Sequence, residues 1–336
     1  MLAGNLEEEY LAKLAVVGVG GQGSNLVNRL YNQGMRSAST VVINTDAKHL
    51  NIVNASRKLL IGKEITHGLG AGGFPEVAEK CAEANKNEIA SSIEGSDIVF
   101  IAAGMGGGTG GGAAPVVAKL AREMGALVVA FVTYPFAVER SRKNKADWSL
   151  QQLQKYADTT VVIENDRLLS YAPNLPMDRA FELIDSVACN AVRGISDTLM
   201  LPSLINLDFA DVRAVMHDAG TAVINIGSGS GHDKVEAAIK STLSHPMLNV
   251  DMAGGKSALV HVTGGSSLTI QEATEIGAGV TEGLDAKANV IFGARLVPEL
   301  NDSIRVMSIV TGVTPRFGVG IKKDVERGTE FNLDRV

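Results

Sequence analysis

Gly104-Met105-Gly106-Gly107-Gly108-Thr109-Gly110-Gly111-Gly112 lies between a strand-like run, Asp97–Ala103, and a helical pattern, Ala113–Met124. A stretch this poor in side chains leaves successive backbone N–H groups open to a ligand. The helix that follows adds the positive end of its dipole. Strand, glycine loop and helix together read as a cradle for a polyphosphate.

The same arrangement recurs upstream. Leu14–Val17 runs into Gly18-Val19-Gly20-Gly21-Gln22-Gly23 and a helical stretch, Ser24–Gln33. Gly68-Leu69-Gly70-Ala71-Gly72-Gly73 precedes a helix expected over Pro75–Ser92, and Thr40–Asn44, Leu127–Thr133 and Thr159–Ile163 add strands. Unbroken apolar strands that alternate with helices indicate a parallel sheet covered on both faces. The glycine loops then lie on the ligand side of a doubly wound sheet. The first loop alone is ambiguous. Gly18, Gly20 and Gly23 satisfy the dinucleotide pattern G-x-G-x-x-G, and Asp46 stands where a ribose-binding acid belongs, so an NAD- or FAD-dependent oxidoreductase fits it equally well. Such an enzyme has no need of the Gly106–Gly112 run, and three loops at strand ends favour a polyphosphate. Gly255-Lys256-Ser257 is not a P-loop, because Val250 occupies the required first glycine position.

The chain has 336 residues, 45% hydrophobic and 20% charged, enough for two packed domains. Its formal net charge of −6 argues against broad binding to DNA or RNA, so no nucleic-acid partner is expected. Cys81 and Cys189 stand far apart without ligand-like neighbours, and the histidines form no metal or triad pattern, so no metal held by side chains is expected. No segment approaches the roughly 20 apolar residues that span a bilayer, so direct membrane insertion is not expected either. A polar N-terminus unlike a signal peptide, together with unpaired cysteines, fits the cytoplasm.

Pro176–Leu199 reads as one long helix, with Ala180, Leu183, Ile184, Val187, Ala191 and Ile195 near a helical period. Beyond it, strands at Ser257–Thr263, Ala288–Val297 and Ile304–Thr311 and helices at Lys234–Leu243 and Thr269–Glu282 suggest a smaller α/β domain with a mixed sheet. The expected division is an N-terminal extension (1–13), a Rossmann-like nucleotide domain (14–178), a central connecting helix (179–201), a second domain (202–314) and a short tail (315–336).

Gly106–Gly112 resembles the tubulin/FtsZ signature GGGTGTG, and Ala113-Ala114-Pro115-Val116-Val117 continues it in FtsZ fashion. Asn44-Thr45-Asp46-Ala47, Gly68–Gly73 and Asn206-Leu207-Asp208-Phe209-Ala210-Asp211-Val212 match the same family in family order, over about Leu14–Val313. The chain thus resembles the tubulin/FtsZ family, on the FtsZ side and with an archaeal cast. The resemblance implies a tubulin/FtsZ-like fold and a GTPase that binds GTP or GDP, with Mg2+ on the phosphates. It also implies head-to-tail polymerisation with copies of itself, a cytoplasmic division ring at mid-cell, and a membrane-anchoring adaptor protein. Phe331-Asn332-Leu333 in the tail is a candidate adaptor contact.

The resemblance assigns Gly20, Gly21, Gln22 and Asn25 to the first nucleotide-contacting loop, with Asp46 beside it. Ala71, Gly72 and Gly73 would face the γ-phosphate. Gly104, Gly106, Gly107, Gly108, Thr109, Gly110 and Gly111 would hold the α- and β-phosphates. Glu139 would bind the ribose, with Pro135 and Lys143 nearby. Asn165 and Asp185 would read guanine, and Phe181 would stack on it. The chemistry agrees for Asp185, whose carboxylate accepts from guanine N1–H and N2–H, a pair that adenine lacks. Asn206, Asp208 and Asp211 would be catalytic, polarising water on the nucleotide of the next subunit. Asp208 also reads as the N-cap of a helix over Phe209–His217, with Asp211 at its third position and Gly220 ending it. Gly111 departs from the signature by removing a hydroxyl expected to face phosphate. Phe74, Arg140, Lys143 and Glu164 depart as well. These changes leave open a paralogue that binds GTP and forms filaments but hydrolyses slowly.

Overall fold

The structure, a computed structural model, describes residues 12–171, 174–244 and 250–315. Most of the expected N-terminal extension and tail, Phe331-Asn332-Leu333 included, lies outside them. Strands β1 (Leu14–Val19), β2 (Ser39–Asn44), β3 (Arg57–Leu60), β4 (Ile98–Gly104), β5 (Leu127–Tyr134) and β6 (Thr159–Glu164) pair in the order β3-β2-β1-β4-β5-β6, all parallel. Parallel neighbours require crossovers. These are α1 (Gly20–Asn32), α2 (Ala47–Ile52), α3 (Lys63–Thr66), α4 (Pro75–Ala84), α5 (Lys86–Ile93), α6 (Gly108–Glu123) and α7 (Arg140–Gln154). Val16, Phe100 and Val129 pack on one face with Leu26, Leu30 and Ile184, while Val17, Ile101 and Val128 pack on the other with Cys81, Val117 and Leu153. Burial on both faces is why these strands lack polar alternation.

After α8 (Asp166–Tyr171), the long α9 (Met177–Met200) runs beside α1 in the same direction. Gln22 Nε2 donates to Asp185 Oδ1 at 3.0 Å, and Arg193 Nη2, two turns on, donates to the Gln33 carbonyl at 2.9 Å. The chain continues through α10 (Phe209–Met216), β7 (Gly220–Ser230), α11 (Lys234–Leu243), β8 (Val250–Asp251), β9 (Ser257–Gly264), α12 (Ile270–Thr281), β10 (Asn289–Leu296), β11 (Ser303–Thr311) and β12 (Thr314–Pro315). β11 is antiparallel to β7 and β9, and β10 is parallel to β9, so this part of the sheet is mixed. Thr159 and Thr160 of β6 pair with Gly220 and Thr221 of β7, which joins the two parts into one ten-stranded sheet, while β8 and β12 pair separately. Among the described residues, no helix is long and apolar enough to cross a membrane.

Three local expectations change. The helix over Pro75–Ser92 is two helices broken at Asn85, whose Oδ1 accepts from Gly62 N at 2.8 Å instead of serving a continuous helix. α10 ends at Met216, one residue short of the expected His217, and the left-handed residue that follows is Asp218, φ 49°, ahead of the expected Gly220; the Asp218 amide donates to the buried Asp158. The sequence reading also places no strand over Gly220–Ser230, a stretch that Gly227 and Gly229 interrupt. Those glycines admit α11. A Cβ at Gly227 would stand 2.4 Å from Thr242 N, and one at Gly229 would stand 1.9 Å from the Lys234 carbonyl. Gly229→Ala is therefore expected to destabilise the fold by about 1–3 kcal/mol, as overpacking does. Gly283→Ala, where a Cβ meets nothing within 4 Å, is the matched control and should leave the urea midpoint nearly unchanged.

Candidate functional site

Helices α1 and α6 both begin at glycine, and neither N-cap residue, Val19 or Gly107, supplies a capping side chain. Neither first turn carries an acid. The first amides of a helix have no partner within it, so these two ends present free donors and positive dipole ends. By contrast, α10 and α12 are each closed by a capping box. The two open ends converge. Gly20 has φ 72°, and a Cβ on it would stand 2.8 Å from Gly110 N. A Cβ on Gly108 would stand 2.9 Å from Phe74 N and 3.1 Å from Gly73 N, which brings in the second loop. Thr45 Oγ1 and Thr109 Oγ1 lie 2.7 Å apart and tie the end of β2 to the third loop. Gly104 packs against Gln22, and Gly106 packs against the Arg142 carbonyl. Gly21 and Gly107 face open space, with no non-neighbour atom closer than 3.9 Å to a Cβ there. In the second loop, Gly72 and Gly73 take positive φ beside the buried Ala71. Asn25 is exposed on α1. Asp46 caps α2 by accepting from His49 N at 3.1 Å, so its carboxylate has a local task.

The end of α9 borders this cradle. Asp185 is buried, and burial pushes its carboxyl up to about 7 against the opposing pull of Arg29 and the Gln22 hydrogen bond. Phe181, one turn before it, meets Phe136 edge-on with ring centroids 6.3 Å apart. Asn165, which follows β6, has a buried Oδ1 with no hydrogen-bond partner among the described residues. An orphaned acceptor of this kind fits a missing donor from a ligand. Pro135 is buried behind the loop after β5. Glu139 stands just before α7 without capping it: its Oε1 accepts from Phe136 N at 3.1 Å and its Oε2 from Arg142 Nη1 at 2.6 Å. Lys143 stands 4.0 Å from Asp166 and 5.9 Å from the Tyr134 ring centroid.

Asn206, Asp208 and Asp211 are elsewhere. They follow the far end of α9, and the rise from Asp185 to Met200 alone is about 22 Å. At the other end of α10, the Met216 carbonyl accepts from Thr159 at the start of β6, whereas the cradle sits where strands end. Asp208 Oδ1 accepts from Asp211 N, and Asp211 Oδ2 accepts from Asp208 N, both at 3.0 Å. Asn206 and Asp208 remain exposed. One Asp–His–Asp group, Asp158, His217 and Asp218, would offer metal-ligating atoms, but Asp158 accepts from Val128 N and Asp218 N and pairs with His217, while Arg122 pairs with Asp218.

Sequence reasoning missed Lys145, Arg142 and Ser149. Lys145 Nζ donates to the Gly73 carbonyl at 2.6 Å and lies 4.9 Å from the Phe74 ring centroid, so the Phe74 departure has a cationic partner that sequence distance hid. The expected role of Gly111 also changes. Its Cβ direction points at Ser149 Oγ, 2.4 Å away, and toward Pro75, so this position faces α7 and α4 rather than the phosphate cradle. Gly111→Thr should therefore lower stability by about 1–3 kcal/mol without tightening nucleotide binding. Gly111→Ala with Ser149→Gly should recover part of the loss seen for Gly111→Ala alone, as read by thermal unfolding.

Residues 13–173 match the Tubulin/FtsZ family, GTPase domain, and residues 220–314 match the FtsZ family, C-terminal domain. Cell division protein FtsZ 2 of Methanocaldococcus jannaschii is 50% identical over 312 residues, covering 92% of this chain and 82% of that protein. Cell division protein FtsZ 1 of Pyrococcus furiosus is 47% identical over 311 residues, covering 92% of this chain and 83% of that protein. A solved empty FtsZ dimer from M. jannaschii superimposes with a TM-score of 0.84 at 44% identity, covering 91% of this chain and 89% of that one. CetZ2 of Haloferax volcanii, solved as a GTPγS-bound protofilament, shares the fold at a TM-score of 0.77 and 21% identity, covering 90% of this chain and 93% of that one. The chain therefore belongs to the FtsZ family of the tubulin superfamily, a family of cell-division GTPases.

Proposed function

We propose that this GTPase hydrolyses GTP at a site completed by a second copy of itself, within head-to-tail filaments of a division ring. The observation that carries this reading is the separation of the chemistry within one chain. The amide cradle gathers around Gly20, Gly108 and Gly73, whereas Asp208 and Asp211 lie beyond the far end of α9. A water activator must reach the γ-phosphate. One chain cannot bring the two together, but a head-to-tail contact can, and such a contact does not close, so it builds filaments. The division into residues 14–178, 179–201 and 202–314 describes the working parts: cradle, connecting helix and acid-bearing half.

In this reading Asp185 and Asn165 read guanine, Phe181 stacks on it, and Glu139 meets the ribose. The first-turn amides of α1 and α6 hold the α- and β-phosphates, and Ala71, Gly72 and Gly73 close on the γ-phosphate. Mg2+ carried on the phosphates would offset their charge. The protein acts in the cytoplasm and reaches the membrane through an adaptor. A second reading, slow turnover, is favoured by one observation: Arg142 and Phe136 N already engage the Glu139 carboxylate. Turnover per subunit measured against protein concentration separates the two.

Two outcomes are expected. Guanine N1–H and N2–H pair only with the ionised form of Asp185, which burial disfavours up to about pH 7. Binding then favours proton release, and selectivity should rise with pH. The ratio of GTP to ATP affinity, in which titration of the phosphates cancels, should fall by roughly tenfold per unit below pH 7 and level off above it. Asp185→Asn should flatten this profile; a flat profile in the natural protein would remove Asp185 from base reading.

The shared site is tested by mixing. Asp211→Ala should bind GTP and assemble but hydrolyse slowly, and Gly108→Trp should bind no GTP. Together they should recover activity, because one subunit holds GTP while its neighbour supplies Asp211. Sedimentation must show both in the same polymer. Co-assembled mixtures without activity, with Asp211→Ala alone turning over normally, would rule the mechanism out.

A further inference from the structure

Away from the glycine loops, a cavity of about 340 Å3 opens between α9 and the mixed part of the sheet. Its wall carries Arg193 and Asp197 from α9, His261 from β9, Arg295 from β10 and Arg305 from β11. Three guanidinium groups thus share one carboxylate, in a chain whose formal net charge is −6. Burial pushes the Asp197 carboxyl up from its ordinary value, and the three arginines pull it back down. His261 adds no negative charge, and burial pushes its imidazole down to about 4, so it is neutral at physiological pH.

The wall is also short of partners. Arg295 Nε and His261 Nε2 are buried without a hydrogen-bond partner among the described residues. The contacts that hold the arginines go to backbone instead: Arg295 Nη1 to the Asp197 carbonyl at 3.2 Å, and Arg193 Nη2 to the Gln33 carbonyl at 2.9 Å. A guanidinium held by a neutral carbonyl keeps its full charge and its remaining N–H donors. Arginine's planar fork matches carboxylate and phosphate oxygens. The volume lies at the lower end of the ~300–1,000 Å3 typical of small-ligand sites.

We propose that this cavity binds a small dianion, a phosphate monoester or a dicarboxylate, held between α9 and strands β10 and β11 by Arg193, Arg295 and Arg305. The site differs in chemistry from the nucleotide cradle, which offers backbone amides, and a ligand here would link the connecting helix to the acid-bearing half.

The test is titration calorimetry on the full chain with GDP present throughout, so that the nucleotide cradle is filled. Glycerol 3-phosphate and succinate are the dianionic probes, and succinamide is the neutral one. At least one dianion is expected to bind with a Kd below about 1 mM, and succinamide is expected not to bind. Arg305 is exposed, so Arg305→Gln should fold normally; it should weaken the dianion at least tenfold, whereas Arg305→Lys should weaken it less. Whichever dianion binds more tightly identifies the headgroup. The proposal is overturned if neither dianion binds at up to about 10 mM, or if affinity is the same in Arg305→Gln as in the natural protein.

Discussion

Backbone approaches backbone at the strand ends of this protein more closely than any side chain would allow. A Cβ at Gly23 would stand 2.0 Å from the Ala102 carbonyl, one at Gly18 would stand 2.2 Å from the Gly23 carbonyl, and one at Gly112 would stand 1.9 Å from the Pro75 carbonyl. These contacts seat α1 directly on β4 and α4 directly on α6. Because both helices are drawn in tightly, their first turns meet, and Gly20 comes against Gly110. The amide cradle is a consequence of that packing.

The treatment of helix ends follows the same logic. Two helices away from the cradle are closed by side chains: Asp208 and Asp211 close α10, and Thr269 and Glu272 close α12. Where it begins in the cradle, no side chain intervenes. Unsatisfied amides and a helix dipole are costly without a ligand and well suited to phosphate. Asp185 carries a parallel cost, since a desolvated carboxyl resists ionisation.

Helix α9 connects the two kinds of chemistry. Its early turns present Phe181 and Asp185 beside the cradle, its middle turns face the arginine-lined cavity, and its end leads into the loop with Asp208 and Asp211. Gly194 permits the close fit of that middle stretch, since a Cβ there would stand 2.4 Å from Met307 Sδ.

The parallel sheet, the three glycine loops, the long helix and the capping role of Asp208 and Asp211 are all legible in the order of residues. Each rests on local spacing: unbroken apolar runs, glycine clusters, a helical period, and an acid three residues after another. Which way the side chains of those segments face, and what meets them, follows from the packing of the folded chain. Gly111 turns toward Ser149 and Lys145 answers Phe74, both through pairings set by how α7 lies across the loops. β7 shows the same limit, for Gly227 and Gly229 interrupt its stretch of sequence and α11 packs against them. Local patterns encode periodicity and backbone freedom, whereas a contact between residues distant in the chain depends on the packing of whole elements.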